Sequence, residues 1–145
     1  MDIPFDYVDD RTTHILIIDD DHDFSTILRS AIVAELPDVD VTTTDDGYEG
    51  LMLIGELKPQ LVILDIKMPK LDGFQVLELL KSRKAEQDVK VLVITGYLDP
   101  ETRQQLSRTI ADHWMDKLTD INTMIKTIGA YVRSEKPMFL SENNN

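Results

Sequence analysis

The chain has no cysteine in its 145 residues. Disulfides and thiolate metal sites are therefore excluded. It also lacks an excess of base: 15 Lys and Arg stand against 27 Asp and Glu, a formal net charge of −12. A surface of that sign repels nucleic-acid phosphates and anionic lipid headgroups, which argues against a general affinity for either. Residues 1–10 do not show the basic-then-apolar order of an export signal, and no apolar run approaches the roughly 20 residues needed to span a bilayer. No internal repeat is present, and the one biased stretch is the polar end, Ser141-Glu142-Asn143-Asn144-Asn145. These absences predict a cytoplasmic protein of one domain, whose acid surplus serves solubility.

What the chain does have is three apolar runs that each end in a polar group. Ile15-Leu16-Ile17-Ile18 ends in Asp19-Asp20-Asp21, Leu61-Val62-Ile63-Leu64 ends in Asp65, and Val91-Leu92-Val93-Ile94 ends in Thr95. Runs of that length and composition read as strands covered on both faces. Helical periodicity fills the gaps. A helix is expected over about 23–36, with Phe24, Ile27, Leu28, Ala31 and Ile32 on one face and Pro37 as its stop. Asp46 caps a helix over about 47–57. Phe74, Leu77 and Leu80 mark one over about 74–84. Asp99-Pro100-Glu101 starts one that reaches about 110, and Ile121, Met124, Ile125 and Ile128 mark one over about 120–133. Strands are expected over about 14–19, 39–44, 61–65, 90–95 and, least strongly signalled, 113–115. Five βα units imply a doubly wound, mostly parallel sheet with right-handed crossovers. In such sheets ligands bind beyond the carboxyl ends of the strands, which is where Asp19, Asp20, Asp65 and Thr95 would meet.

Carboxylates gathered there repel one another and need a compensating cation. Mg²⁺ suits a few carboxylate oxygens, and Lys117, just past the fifth strand, supplies a second positive charge. A carboxylate can also attack phosphorus, a transfer that depends mainly on positioning and charge neutralisation. Each residue has a plainer reading beside this one. Asp21 suits a helix start, Asp72 a turn before Gly73, Thr95 an ordinary strand end, Trp114 the core, and Lys117 a solvated surface. His14 and His113 fall at strand starts, away from the acids, and His22 has no evident partner.

The segments HILIIDDD (14–21), DGYEGL (46–51), PQLVILDIKMPKLDGFQVL (59–77), VLVITG (91–96) and HWMDK (113–117) together resemble the receiver domain of two-component response regulators. The resemblance covers about residues 13–133. It implies a flavodoxin-like (βα)5 doubly wound parallel sheet of strand order 2-1-3-4-5, with an extension over 1–12, a receiver over 13–134 and a polar tail over 135–145. It assigns Asp65 as phosphoacceptor and Asp19, Asp20, Asp65 and the Lys67 backbone carbonyl as Mg²⁺ ligands, with Asp19 acting largely through water. Thr95 and Lys117 would hold the phosphoryl group, and Thr95 with Trp114 would form the switch. The implied partners are a histidine kinase or histidine phosphotransfer protein as donor and a downstream protein or output domain as receiver of the signal. A phosphorylation-dependent dimer is also allowed.

The resemblance has departures. Leu118 stands where the family usually has a Pro, often joined through a cis bond, and Ile110-Ala111 stands where Gly-Ala is common. Two side chains flanking the site, Lys67 and Tyr97, are of the kind that governs access of water to an acyl phosphate, and a shielding Tyr97 would lengthen its life. Three other readings stand beside the switch. One is a degenerate receiver that binds partners without phosphorylation; another is the receiver part of a longer regulator. The third, an Mg²⁺-dependent phosphatase or phosphotransferase with an aspartyl nucleophile, would need a second acid where Lys67 stands. A flavin site would need a phosphate-binding loop after the first strand, where three acids stand instead.

Overall fold

The structure is a computed structural model that describes residues 12–133. The expected extension, apart from Thr12, and the expected polar tail lie outside the described residues. Five strands alternate with five helices: β1 Thr13–Ile18, α1 His22–Glu35, β2 Val39–Thr44, α2 Gly47–Leu57, β3 Leu61–Leu64, α3 Gly73–Gln87, β4 Lys90–Thr95, α4 Pro100–Leu106, β5 His113–Asp116 and α5 Ile121–Val132. The strands form one parallel sheet in the order β2-β1-β3-β4-β5, the flavodoxin-like arrangement. Parallel strands need crossover connections, and α1 to α4 supply them, while α5 follows the last strand.

Alternation along the strands divides the core into two layers. Leu16, Ile18, Val62, Leu64, Val91 and Val93 meet Ile54 of α2, Val76, Leu77 and Leu80 of α3, and Leu106 of α4. Their neighbours Ile15, Ile17, Leu61, Ile63, Leu92 and Ile94 meet Leu28 and Ile32 of α1 and Met124 and Ile128 of α5. Full burial of each such side chain contributes about 1.5–3 kcal/mol before conformational entropy is counted.

Helix starts follow local chemistry. Asp21, Asp46, Asp99 and Asp120 cap α1, α2, α4 and α5 with side-chain carboxylates that accept from Phe24, Tyr48, Thr102 and Thr123 N–H groups. Asp72 is more than a turn residue. It accepts from Gln75 N at 2.9 Å while Gln75 Oε1 accepts from Asp72 N at 2.8 Å, a reciprocal cap on α3.

Two expectations shift. α4 stops at Leu106 rather than about 110, because Ser107 and Thr109 hydroxyls bond back to the carbonyls of Gln104 and Leu106 and close the turn. Ile27 and Ile121, expected on buried faces, are exposed, and Ser25 is buried on α1 in Ile27's place. Helical spacing alone does not say how much of each face the sheet covers.

Candidate functional site

The ladder carries the polar groups to one edge. Beyond the last β1–β3 pair, Ile18 with Leu64, the Asp65 N–H donates to Ile18 O at 3.0 Å, and the Asp19 N–H donates to Thr44 O at 3.0 Å. Beyond the β4–β5 pair of Thr95 with Asp116, the Lys117 N–H donates to Thr95 O at 3.0 Å. Parallel register therefore places Asp19, Asp65, Thr95 and Lys117 at the carboxyl end, as the sequence predicted. Asp19 is 3%, Asp65 4% and Thr95 0% exposed, while Asp20 is open to solvent.

Carboxylate oxygens of Asp19, Asp20 and Asp65 lie within 4.8 Å of one another. Lys117 Nζ sits 2.9 Å from Asp19 Oδ2, 3.4 Å from Asp65 Oδ2 and 3.7 Å from Asp21 Oδ2. The Phe24 ring, with its centroid 4.7 Å from Nζ, bounds the ammonium on another side. Asp65 Oδ1 accepts from Ile66 N at 2.7 Å, and Asp19 Oδ1 accepts from Asp21 N at 2.9 Å.

Burial pushes the Asp19 carboxyl up to about 6, and the Asp65 charge adds to the rise. The Asp21 N–H and the Lys117 ammonium oppose it without cancelling it. Burial also works to lower the Lys117 ammonium, but its contacts with Asp19 and Asp65 outweigh that, and its pKa ends above the usual lysine value. One lysine thus leaves a carboxylate cluster short of positive charge. The donor set is all oxygen, partly open to solvent through Asp20, which fits a hard divalent cation such as Mg²⁺.

Around this centre, Lys67 and Tyr97 are both exposed, and Lys67 Nζ lies 4.8 Å from the Tyr97 ring centroid. The Tyr97 N–H donates to Thr95 Oγ1 at 3.3 Å. Trp114, half-buried on β5, packs against the layer formed with α2, α3 and α4. The Lys117–Leu118 peptide is trans, as are all peptide bonds among the described residues. Leu118 is 92% exposed, and its N–H donates to Asp116 Oδ1 at 2.7 Å. Proline could not make that bond, so the turn after Lys117 is held by Asp116 here.

Three neighbours escaped the sequence reading. Asp21 caps α1 as its place in the sequence suggested, but its approach to Lys117 was not foreseen. Phe24 lies beside the lysine. His22 is not partnerless: its Nε2 is 3.0 Å from Asp45 Oδ2. Asp45 comes from the β2–α2 junction, 23 residues away, and no local pattern announces that pairing.

Residues 15–129 match the family described as response regulator receiver domain. A DNA-binding dual master transcriptional regulator, RpaA, of Synechocystis is 34% identical over 119 residues, covering 82% of this chain and 48% of that protein. A protein-glutamate methylesterase/protein-glutamine glutaminase of Methanospirillum hungatei is 34% identical over 123 residues, covering 82% of this chain and 34% of that protein. The chain therefore spans about half of the first relative and about a third of the second. Among solved structures, a CheY-like receiver domain protein from Methanospirillum hungatei has a TM-score of 0.74 at 25% identity, covering 84% of this chain and 94% of that one.

Proposed function

From the premise that the chain belongs to the response regulator receiver family, we propose that Asp65 is its phosphoacceptor. In this reading a carboxylate oxygen of Asp65 attacks the phosphorus of a phosphohistidine on a histidine kinase or histidine phosphotransfer protein. The P–N bond breaks as the P–O bond forms, and the imidazole departs. Lys117, at 3.4 Å from Asp65, neutralises charge that grows on the phosphoryl oxygens, and Thr95 offers its hydroxyl to one of them. Asp19, Asp20, Asp65 and the Lys67 carbonyl would hold Mg²⁺, which supplies positive charge to the phosphoryl group.

The observation that carries the reading is the placement of one ammonium against two buried carboxylates in a three-carboxylate cluster. A phosphoryl group on Asp65 would draw Lys117 and Thr95 toward new oxygens and so favour one of two conformations. Thr95 and Trp114 would pass that preference to the α4–β5–α5 surface, where a protein target or output domain, or a second copy of the chain, would read it. The reading makes the protein a phosphoacceptor rather than an enzyme acting on a separate substrate. A cytoplasmic setting is consistent with the donor, and no helix among the described residues is long and apolar enough to cross a membrane.

The test is incubation with Mg²⁺ and acetyl phosphate, followed by intact-mass measurement. The wild type is expected to gain one phosphoryl group and Asp65→Asn none. A wild type that binds Mg²⁺ yet gains no mass would sink the reading.

A further inference from the structure

Lys117 carries the ammonium that faces Asp65, and its backbone gives that ammonium little guidance. The Lys117 N–H is fixed on Thr95 O at 3.0 Å. Beyond it, Leu118 is exposed, and the turn is held by the bond from Leu118 N to Asp116 Oδ1. Between that backbone and Nζ lies a flexible four-carbon stem.

The carboxylates alone do not aim the ammonium at Asp65. Asp19 Oδ2 is nearer, at 2.9 Å, than Asp65 Oδ2 at 3.4 Å, and the half-exposed Asp21 draws the charge toward solvent from 3.7 Å. Coulomb attraction by itself lets the ammonium range over all three.

The first turn of α1 supplies the missing constraint. The Phe24 N–H donates to Asp21 Oδ1 at 3.1 Å, so the helix cap fixes the residue's backbone. Its half-buried ring packs against the core layer formed with α1 and α5, and its centroid lies 4.7 Å from Lys117 Nζ. An aromatic face attracts a cation through its quadrupole and takes the place of water on that side. The contacts close on themselves. Asp21 N donates to Asp19 Oδ1, Asp19 Oδ2 holds Lys117, Lys117 meets the Phe24 ring, and Phe24 N returns to Asp21.

We propose that Phe24 is a positioning residue for phosphoryl transfer, its ring holding the Lys117 ammonium beside Asp65, ready to meet the oxygens of an incoming phosphoryl group. The inference rests on the reading of Asp65 as phosphoacceptor. Phe24 touches neither donor nor phosphorus in this role and acts through Lys117.

The test follows phosphorylation of the full chain by acetyl phosphate at saturating Mg²⁺, read as intact mass against time. This donor has no helix to dock on α1, so a loss of rate does not report a protein contact. Phe24→Leu keeps an apolar side chain and loses the aromatic face. Its rate constant should fall about fivefold, the worth of one partly buried cation–π contact. Phe24→Tyr restores the face and should recover most of the rate. In a Lys117→Met background, Phe24→Leu should cost nothing further, whereas a merely structural loss would add to the Lys117→Met defect. NMR supplies an arm independent of phosphorus. The ring should shift the Lys117 Cε protons upfield in the wild type and in Phe24→Tyr, and they should return to the ordinary lysine position in Phe24→Leu.

Equal rates for wild type and Phe24→Leu overturn the proposal and leave Asp65 as phosphoacceptor intact. An additive loss in the Lys117→Met background overturns it as well, as does a wild-type Lys117 Cε signal at the ordinary position. A wild type that gains no mass removes the phosphoacceptor reading itself and the proposal with it.

Discussion

Asp19→Asn should make the metal-free protein more stable at neutral pH. Asp19 is buried, and its carboxyl titrates at about 6 rather than 3.8, chiefly because burial disfavours the charge. The folded protein therefore holds this proton more tightly than the unfolded chain does. Its stability falls as pH rises between about 4 and 6, and the whole deficit is present above about 6. At about 1.4 kcal/mol per pH unit, the ionised carboxylate costs about 3 kcal/mol at neutral pH. Asparagine keeps an oxygen for the Asp21 N–H but forfeits the 2.9 Å contact with Lys117, so the net gain should be about 1–3 kcal/mol. For a domain of this size that is a rise in Tm of roughly 3–10 °C. The assay is thermal unfolding followed by circular dichroism, in chelator, at about pH 7.5 and about pH 4.5. The advantage should shrink at the lower pH, where wild-type Asp19 is already protonated. Added Mg²⁺ should raise the wild-type Tm, by about 2.7 kcal/mol of stabilisation at one hundred times its Kd, and raise that of Asp19→Asn less. An Asp19→Asn protein that melts at or below wild type at about pH 7.5 in chelator would refute the idea that crowded, desolvated charge burdens this site.

Tyr97→Ala should shorten the life of the phosphoryl group on Asp65 severalfold. It removes the ring that Lys67 Nζ faces at 4.8 Å and so frees Lys67, whose contact with an exposed ring is worth about 0.5–1 kcal/mol. Phosphate release from the phosphorylated protein measures this, and an unchanged rate would dismiss the shielding role. Gly73→Ala should destabilise the fold strongly, by about 2–4 kcal/mol, because a Cβ there would meet Asp65 O at 2.4 Å and Ile66 Cα at 2.7 Å, backbone that cannot swing aside. Gly96→Ala meets nothing within 4 Å and should melt like wild type. Denaturant midpoints compare the two, and equal midpoints would contradict the tight approach at Gly73.

The sheet was legible because its signals are local. Ile15–Ile18, Leu61–Leu64 and Val91–Ile94 are apolar at every position and short, rich in β-branched residues, as strands covered on both faces are. Caps were legible where an acid directly precedes a helix, as Asp46 and Asp99 do. Ile27 and Ile121 were misplaced because exposure at a helix edge depends on how the neighbouring helix sits. The early end of α4 was hidden because Ser107 and Thr109 bond to backbone only once the turn has formed. Leu118 could not be interpreted before the Asp116 side chain was seen to hold its N–H.

The sequence by itself determined the strand pattern, the order of polar strand ends and the family resemblance carried by them. Chain topology then obliges Asp19, Asp65, Thr95 and Lys117 to share one edge, since parallel strands all finish on the same side. Only the tertiary structure decided that Lys117 lies between Asp19 and Asp65, with Phe24 beside it. It alone decided that burial lifts the Asp19 pKa and that His22 reaches Asp45 from 23 residues away. The physical reason is range. Apolar patterning and capping act over a few residues, whereas desolvation, ion pairing and cavity shape depend on groups that folding brings together from distant parts of the chain.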